Sequence, residues 1–168
     1  PQVVDICSVS DCVNDDVVDI DSVWEHNSFG VANDAELLWR LAREGDIDTA
    51  DAQLFYYEAY EQEIEAGGGG ESEGGWRPLT PVPSGRVEAS PAAVPEDRTL
   101  LGYDVVASED YLEHSPLSCN GTAETLAVNA HCLFDTLEQA KAAIDGGCFH
   151  NCEPGVYRIY AVYRVQLG

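Results

Sequence analysis

The sequence predicts an α+β fold made of two similar halves, each with the order strand, strand, helix, strand, packed as a mainly antiparallel sheet with two helices. A Gly- and Pro-rich stretch at 67–99 separates residues 1–66 from residues 100–168, which indicates a linker. The two halves also match in pattern at a constant offset of 102 positions. We therefore expect an internal duplication within one globular unit.

Strands are predicted where β-branched and aromatic residues cluster between turn signals. In the first half these runs lie at 3–6, 17–24 and 54–64, and in the second half at 100–107 and 156–167. The last run alternates cleanly between apolar and polar side chains, which is typical of a strand with one covered face. Residues 114–121 are predicted to form a loop.

Each half contains one helix signature, in which a capping residue is followed three positions later by a glutamate and then by a terminating glycine. These residues are Asn33, Glu36 and Gly45 in the first half, and Asp135, Glu138 and Gly146 in the second. The helices are expected near 35–45 and 136–145, and their predicted caps, Asn33 and Asp135, lie 102 positions apart.

The charge of the chain is strongly negative. Eight basic side chains face 31 acidic ones, giving a net charge of −23, and residues 1–100 alone carry 5 basic and 22 acidic groups, which is −17. Such a surface lacks the cations that displace counterions from a duplex or an anionic bilayer, so neither nucleic acid nor membrane is an expected partner. Either solubility in high salt or docking on a basic protein explains the acidity.

The number of cysteines does not by itself indicate the cellular compartment. Six cysteines permit three disulfides in an exported protein. A chain of 168 residues can bury enough surface to fold without such staples, however. We therefore expect reduced thiols and a cytoplasmic location, and no stretch approaches the roughly 20 apolar residues of a membrane span.

Cysteine and histidine side chains concentrate in the second half. Cys148, His150 and Cys152 offer soft ligands within one tight turn, and Cys119 or Cys132 completes a set of four. Thiolate and imidazole are the ligands that zinc prefers, so a zinc site is one interpretation, although the spacing differs from the usual pair of cysteines two residues apart.

Two other interpretations use the same cysteines. Cys119 lies in a loop, where His131 would act as a base and Asn129 or Asn120 as the orienting amide, following the general Cys–His–Asn logic. Alternatively, each thiol is a small buried apolar group, and Cys132 next to an apolar pair fits that description best.

A candidate binding site in the first half combines an aromatic ring, a carboxylate, an imidazole and an amide in consecutive positions. These residues are Trp24, Glu25, His26 and Asn27. At the offset of the repeat, Asn27 corresponds to Asn129, and asparagine is a common turn former. Both turns are therefore expected to border a shared cleft.

Four blocks of the chain resemble an uncharacterised bacterial protein family. They are WEHNS at 24–28, SPLSCN at 115–120, HCL at 131–133 and NCEPG at 151–155. The resemblance spans most of the chain outside the linker, and no activity comes with it.

Two functional hypotheses follow. The first is a non-enzymatic protein-binding module, similar to inhibitors and immunity proteins, whose acidic surface docks on a basic partner. The second is a metal-binding or cysteine-dependent protein with its site in the second half.

Overall fold

A computed structural model describes the chain over residues 3–9, 33–44, 49–50, 52–63, 75–79, 91–109, 112–118, 122–152 and 155–166. The elements in chain order are α1 (Ala35–Glu44), β1 (Leu54–Gln62), β2 (Trp76–Pro78), β3 (Arg98–Glu109), β4 (Leu112–His114), a 3-10 helix (Thr122–Glu124), α2 (Leu137–Asp145) and β5 (Val156–Val165). The predicted strand at 17–24 and the predicted stop at Gly45 lie outside the described residues.

The strands form one antiparallel sheet in the order β2-β1-β5-β3-β4. β5 lies at the centre, where Val162 is paired with Tyr57 of β1 and Ile159 is paired with Val105 of β3. The α+β prediction is confirmed, because two helices accompany a sheet in which every pairing is antiparallel. No helix of the described residues is long and apolar enough to cross a bilayer.

The sheet is covered on both sides. On one side, which we call the helix face, Val105 and Ile159 pack with Phe134 and with Ala140 and Ala143 of α2. On the other side, the N-terminal face, the N-terminal segment and a loop close over β5, and the buried residues there are Cys7, Leu133 and Val162. Because β5 is central, its residues 159–162 are buried on both faces of the sheet. The polar face predicted from the alternation of residue types is therefore absent from the middle of the strand.

Both helix caps lie one residue later than predicted. α2 begins after Thr136, whose hydroxyl accepts a hydrogen bond of 3.2 Å from Gln139 N, while the Gln139 side chain accepts one of 3.1 Å from Thr136 N. In α1, Asp34 Oδ1 accepts from Glu36 N at 2.8 Å. In the second half the capping-box pattern recurs one position along, at Thr136 and Gln139, whereas in the first half the residue three positions after Asp34 is Leu37. The sequence pattern therefore located each helix start without fixing its register.

The predicted strand at 3–6 is wrong. Residues 3–9 form no strand. Val4 N and Asp5 N donate to the Ala130 carbonyl at 2.8 and 3.4 Å, and Cys7 N donates to the His131 carbonyl at 3.3 Å. These acceptors belong to a loop rather than to a strand, so the segment gains hydrogen bonds without a regular ladder.

Two stretches expected to be irregular contribute strands. β2 lies within the predicted linker and pairs with β1 at the sheet edge, where Pro78 is tolerated because an edge strand needs no ladder donor on its outer side. β4 includes His114, which had been assigned to a loop, and pairs with Ala107 of β3. Half-buried Trp76 packs against the core of the helix face, and this contact ties β2 to the body of the protein.

The internal duplication is not confirmed. α1 and α2, and likewise β1 and β5, begin 102 positions apart, as the repeat requires. However, β3 is a strand whereas its counterpart near the N-terminus is not. In addition, α2 packs on β3 and β5, and α1 has no comparable packing on any described strand.

Candidate functional site

A loop at 129–134 is organised by the side chain of Asn129. Its Oδ1 accepts hydrogen bonds from His131 N at 2.9 Å and Leu133 N at 3.2 Å, while its Nδ2 donates to the Leu101 carbonyl at 2.9 Å. Within this turn Cys132 has a φ of 59°, in the left-handed region that β-carbon-bearing residues seldom adopt. The turn therefore holds a strained residue between two oriented neighbours, an arrangement often found at functional sites.

The loop brings His131 against the N-terminal segment. Nδ1 of His131 contacts Oδ1 of Asp5, and Arg164 Nη2 of β5 donates to Oδ2 of the same carboxylate at 3.1 Å. The hydrogen bond from His131 holds the pKa of Asp5 below its ordinary value against the opposing effect of burial, and the charges of His131 and Arg164 act in the same direction. Asp5 is thus an ionised carboxylate with both oxygens engaged.

Cys7 completes this cluster. Its Sγ lies within 4.8 Å of a carboxylate oxygen of Asp5 and a ring nitrogen of His131, and the residue is only 8% exposed. Burial raises the pKa of the Cys7 thiol, and the charge of Asp5 raises it further. Nucleophilic cysteines need the opposite shift, so the environment of Cys7 disfavours thiolate catalysis.

A second polar centre lies beside it, around the fully buried Asp104 of β3. Ser115 Oγ donates to Asp104 Oδ1 at 2.6 Å, and Ser8 Oγ and Val9 N donate to Oδ2 at 3.0 Å each. Burial raises the pKa of Asp104 to about 6 despite these bonds. Burying a carboxylate is so unfavourable that several donors compensate only in part.

The sequence-predicted zinc ligands are not brought together among the described residues. Cys148 is exposed, the His150 ring contacts the Gly147 carbonyl at 2.7 Å, and Cys152 lies 3.5 Å from the Thr122 hydroxyl. Among the described residues, one group of side chains has potential metal-ligand atoms close to one another. It consists of Asp5, Cys7 and His131. Cys119 lies outside the described residues.

Cys132 is remote from that turn because the sheet intervenes. Its thiol interacts with the charges of Asp104 and Asp5 on the N-terminal face, and burial raises its pKa. Cys152, in contrast, packs against the core of the helix face. A site that combines Cys132 with the 148–152 turn is therefore not formed in this fold.

The catalytic trio proposed from sequence is partly located. His131 contacts Asp5 rather than an amide, and Asn129 bonds to backbone groups of its own loop. The binding candidates Trp24, Glu25, His26 and Asn27 lie outside the described residues, as does Cys119. The shared cleft between the two turns is therefore still a prediction.

The helix face carries a second candidate site beyond the reach of α2. We call it the tyrosine patch, and its members are Tyr56, Glu58, Tyr60, Arg98, Leu100 and Tyr163. Tyr56 and Tyr163 have ring centroids 5.9 Å apart, and the guanidinium carbon of Arg98 lies 5.9 and 5.1 Å from the two centroids. Leu100 is 41% exposed and the other members are half-buried, so the patch is partly exposed among the described residues.

Glu58 places an acidic side chain in the tyrosine patch, which also contains Arg98. Tyr163 Oη donates to Glu58 Oε2 at 3.1 Å. Burial raises the pKa of Tyr163 to about 12, and the Glu58 charge adds to the shift. The pKa values of Tyr56 and Tyr60 are raised by the same two causes. The patch therefore presents neutral phenols at neutral pH, beside the side chains of Glu58 and Arg98.

No family model, curated protein or solved structure matches this chain. The resemblance to an uncharacterised bacterial family consequently adds nothing to the assignment, and the function has to be argued from the geometry.

Sequence reasoning missed Asp5, Cys7, Asp104 and Arg164. A weak signal existed, because Asp5 and Cys7 lie two positions apart and so point to the same side of an extended segment. Nothing in the sequence indicated that this side faces His131, since the two segments are more than 120 positions apart.

Proposed function

We propose that this protein is a non-enzymatic protein-binding module that docks on a basic partner protein through the tyrosine patch, as inhibitors and immunity proteins dock on their targets. The observation that carries the proposal is a partly exposed group of tyrosines beside Glu58 in a chain whose net charge is −23. Neither feature alone distinguishes a binding surface from a solvated one.

The aromatic members supply the anchoring contacts. Tyrosine is enriched among residues that dominate binding energy, because it offers a large rigid ring with a polar end. The rings of Tyr56 and Tyr163 already accept the Arg98 guanidinium within the chain. A guanidinium or ammonium of a partner would be bound by neighbouring rings through the same cation–π attraction.

Electrostatics favour the same kind of partner. Many cations of the described residues are already engaged, through the ion pairs Arg77–Glu61, Lys141–Glu138 and Arg164–Asp5 and the rings under Arg98. Glu96 and Asp97 are exposed immediately before β3, where the strand enters the tyrosine patch. Exposed carboxylates at the rim of an aromatic surface steer a basic partner towards it and reject acidic ones.

The proposal includes a cytoplasmic location and an internal duplication. The described cysteines are free thiols, namely Cys7, Cys132, Cys148 and Cys152, which supports a reducing compartment. The shared offset of 102 between the helices and between β1 and β5 supports a duplication whose first copy later diverged. Neither point is needed for binding.

Affinity capture from a lysate at low and high salt tests the proposal, with the captured protein identified and its interaction then measured calorimetrically. We expect a partner with a basic surface whose affinity falls with salt and falls about tenfold or more in Tyr163→Ala. Val156→Ala is the matched control, because Val156 lies on the same strand and is 50% exposed but projects to the opposite face.

Two outcomes would overturn the proposal. One is the absence of any salt-sensitive basic partner, which would leave solubility in high salt as the reason for the acidity. The other is a partner bound equally well by Tyr163→Ala and the unmodified protein.

A further inference from the structure

We infer that Asp5, Cys7 and His131 form a zinc site that ties the N-terminal segment to the 129–134 loop. The three side chains supply one carboxylate oxygen, one thiol sulfur and one imidazole nitrogen, and these atoms all lie within 4.8 Å of one another. This site is separate from the tyrosine patch, which is on the opposite face of the sheet.

The donor set fits zinc. Zinc takes sulfur at about 2.3 Å and nitrogen or oxygen at about 2.0–2.2 Å in tetrahedral sites, so ligand atoms around one ion lie between about 3 and 4 Å apart. To bind the ion, the Cys7 side chain would move slightly towards the other two ligands. The ion would then replace the direct contact between Asp5 and His131. Magnesium and calcium prefer oxygen ligands alone, and a site with one sulfur and one nitrogen disfavours both.

The backbone holds the two ligand segments in register before any ion binds. The Ala130 carbonyl accepts from Val4 N and Asp5 N, and the His131 carbonyl accepts from Cys7 N. The Asn129 side chain in turn fixes the amides of His131 and Leu133. Pre-positioned ligands reduce the ordering entropy that binding would otherwise require.

Arg164 acts as a positioning residue for the carboxylate. Its Nη2 donates to Asp5 Oδ2 at 3.1 Å, which leaves Oδ1 directed towards His131. Ligating carboxylates are commonly held by such an outer hydrogen bond. The cation also offsets the charge that a thiolate and a carboxylate bring to one ion.

The site is partly exposed to solvent among the described residues, and its three ligands leave one coordination position open. The side chains of Asp5 and His131 are 38% and 24% exposed, whereas Cys7 is buried beneath them. With three protein ligands, a water molecule or an exogenous ligand would complete the tetrahedron, as in zinc sites with an open position.

The test is a zinc titration of the full-length, reduced protein against a chromophoric chelator, after prior treatment with a stronger chelator. We expect one equivalent to bind, with the affinity lowered at least tenfold in Cys7→Ser and in Asp5→Asn. Cys148→Ser and His150→Gln are matched controls from the turn that sequence alone favoured, and both should bind as the unmodified protein does. Excess magnesium should not displace the ion, which separates this site from loose binding to surface carboxylates.

Cobalt substitution gives a second readout. A thiolate ligand produces a charge-transfer band in the near ultraviolet, which should be present in the unmodified protein and in Cys148→Ser and absent in Cys7→Ser. Cys7 is buried, so Cys7→Ser could prevent folding. Asp5→Asn changes a partly exposed side chain, and this variant is expected to fold and to test the site in that case. Failure to bind zinc, equal affinity in Asp5→Asn, or loss of the band only in Cys148→Ser would each overturn the inference.

Discussion

Ser8 donates a hydrogen bond of 3.0 Å to Oδ2 of Asp104, a carboxylate 96 positions further along the chain that is fully buried in the sheet. Through this bond and the adjacent one from Val9 N, the N-terminal segment supplies both donors to Oδ2, while Ser115 donates to Oδ1. The stability of the fold and the placement of that segment are therefore coupled.

The buried Asp104 predicts a pH dependence of folding. Its pKa is about 6 when folded and near 3.8 when unfolded, so between these values the native state binds more protons. Stability should therefore rise as the pH falls from 7 towards 4, by an amount on the order of 3 kcal/mol from this group. Chemical denaturation at several pH values measures it.

The matched comparison for that prediction is Asp104→Asn, which removes the titrating group. Other carboxylates also relieve repulsion on acidification, so the difference between the two pH profiles isolates Asp104. Identical slopes in both proteins between pH 4 and 6 would show that the carboxylate is not buried as described.

Gly102 should not tolerate a side chain. A β-carbon there would lie 2.7 Å from Leu133 Cβ, 2.7 Å from the Phe134 carbonyl oxygen and 2.9 Å from Asn129 Nδ2, and its φ is 149°. We expect Gly102→Ala to destabilise the protein by about 3 kcal/mol, measured by denaturant unfolding, because both backbone strain and overpacking apply.

Gly147→Ala separates the two effects in Gly102→Ala. Gly147 also has a positive φ of 70°, but a β-carbon there meets nothing within 4 Å. It should cost about 1 kcal/mol, from backbone strain alone. A loss in Gly102→Ala no larger than this would mean that the 129–134 loop does not press on β3.

The cap of α2 can be located by mutation. Thr136→Ala removes the hydroxyl that accepts from Gln139 N, and we expect a loss of about 1 kcal/mol in unfolding free energy. Asp135→Ala, at the position predicted from sequence, should change stability by about 0.5 kcal/mol or less. The reverse ranking would place the cap at Asp135.

Asn129→Ala should disturb the loop that carries His131. It removes the acceptor for the amides of His131 and Leu133 and the donor to the Leu101 carbonyl, so we expect a loss of about 2–3 kcal/mol. Asn151→Ala, an exposed asparagine, is the control and should be nearly neutral. Backbone amide shifts at His131 and Leu133 would show whether the turn itself changes; unaltered shifts would contradict the assigned role.

Pattern recognition performed well where local chemistry decides structure. The alternation in residues 156–167 and the aromatic run at 54–64 predicted β5 and β1, and the second capping signature predicted α2 to within one residue. It failed at residues 3–6, because a β-branched run becomes a strand only if another strand edge is available for pairing. Here the neighbour is a loop.

The residues of the candidate site were likewise predicted only in part. His131 and Asn129 were predicted from their residue types, and Asn129 does organise a turn through its side chain. The partner of His131 was not predicted, because Asp5 and the Arg164 that binds the same carboxylate come from opposite ends of the chain. Spacing along a sequence carries information about neighbours within one helix, strand or turn, and it carries almost none about such distant contacts.

The sequence by itself determined the negative charge, the α+β class, the positions of three strands and both helices, and the residue types available for binding. The tertiary structure decided that β5 is central, that the N-terminal segment covers one face of the sheet, and that Asp5 and Cys7 meet His131 while Cys148, His150 and Cys152 do not converge. The physical reason is that element formation depends on short-range backbone and side-chain preferences. Sheet order and the convergence of distant side chains depend on which apolar surfaces the whole chain can bury together.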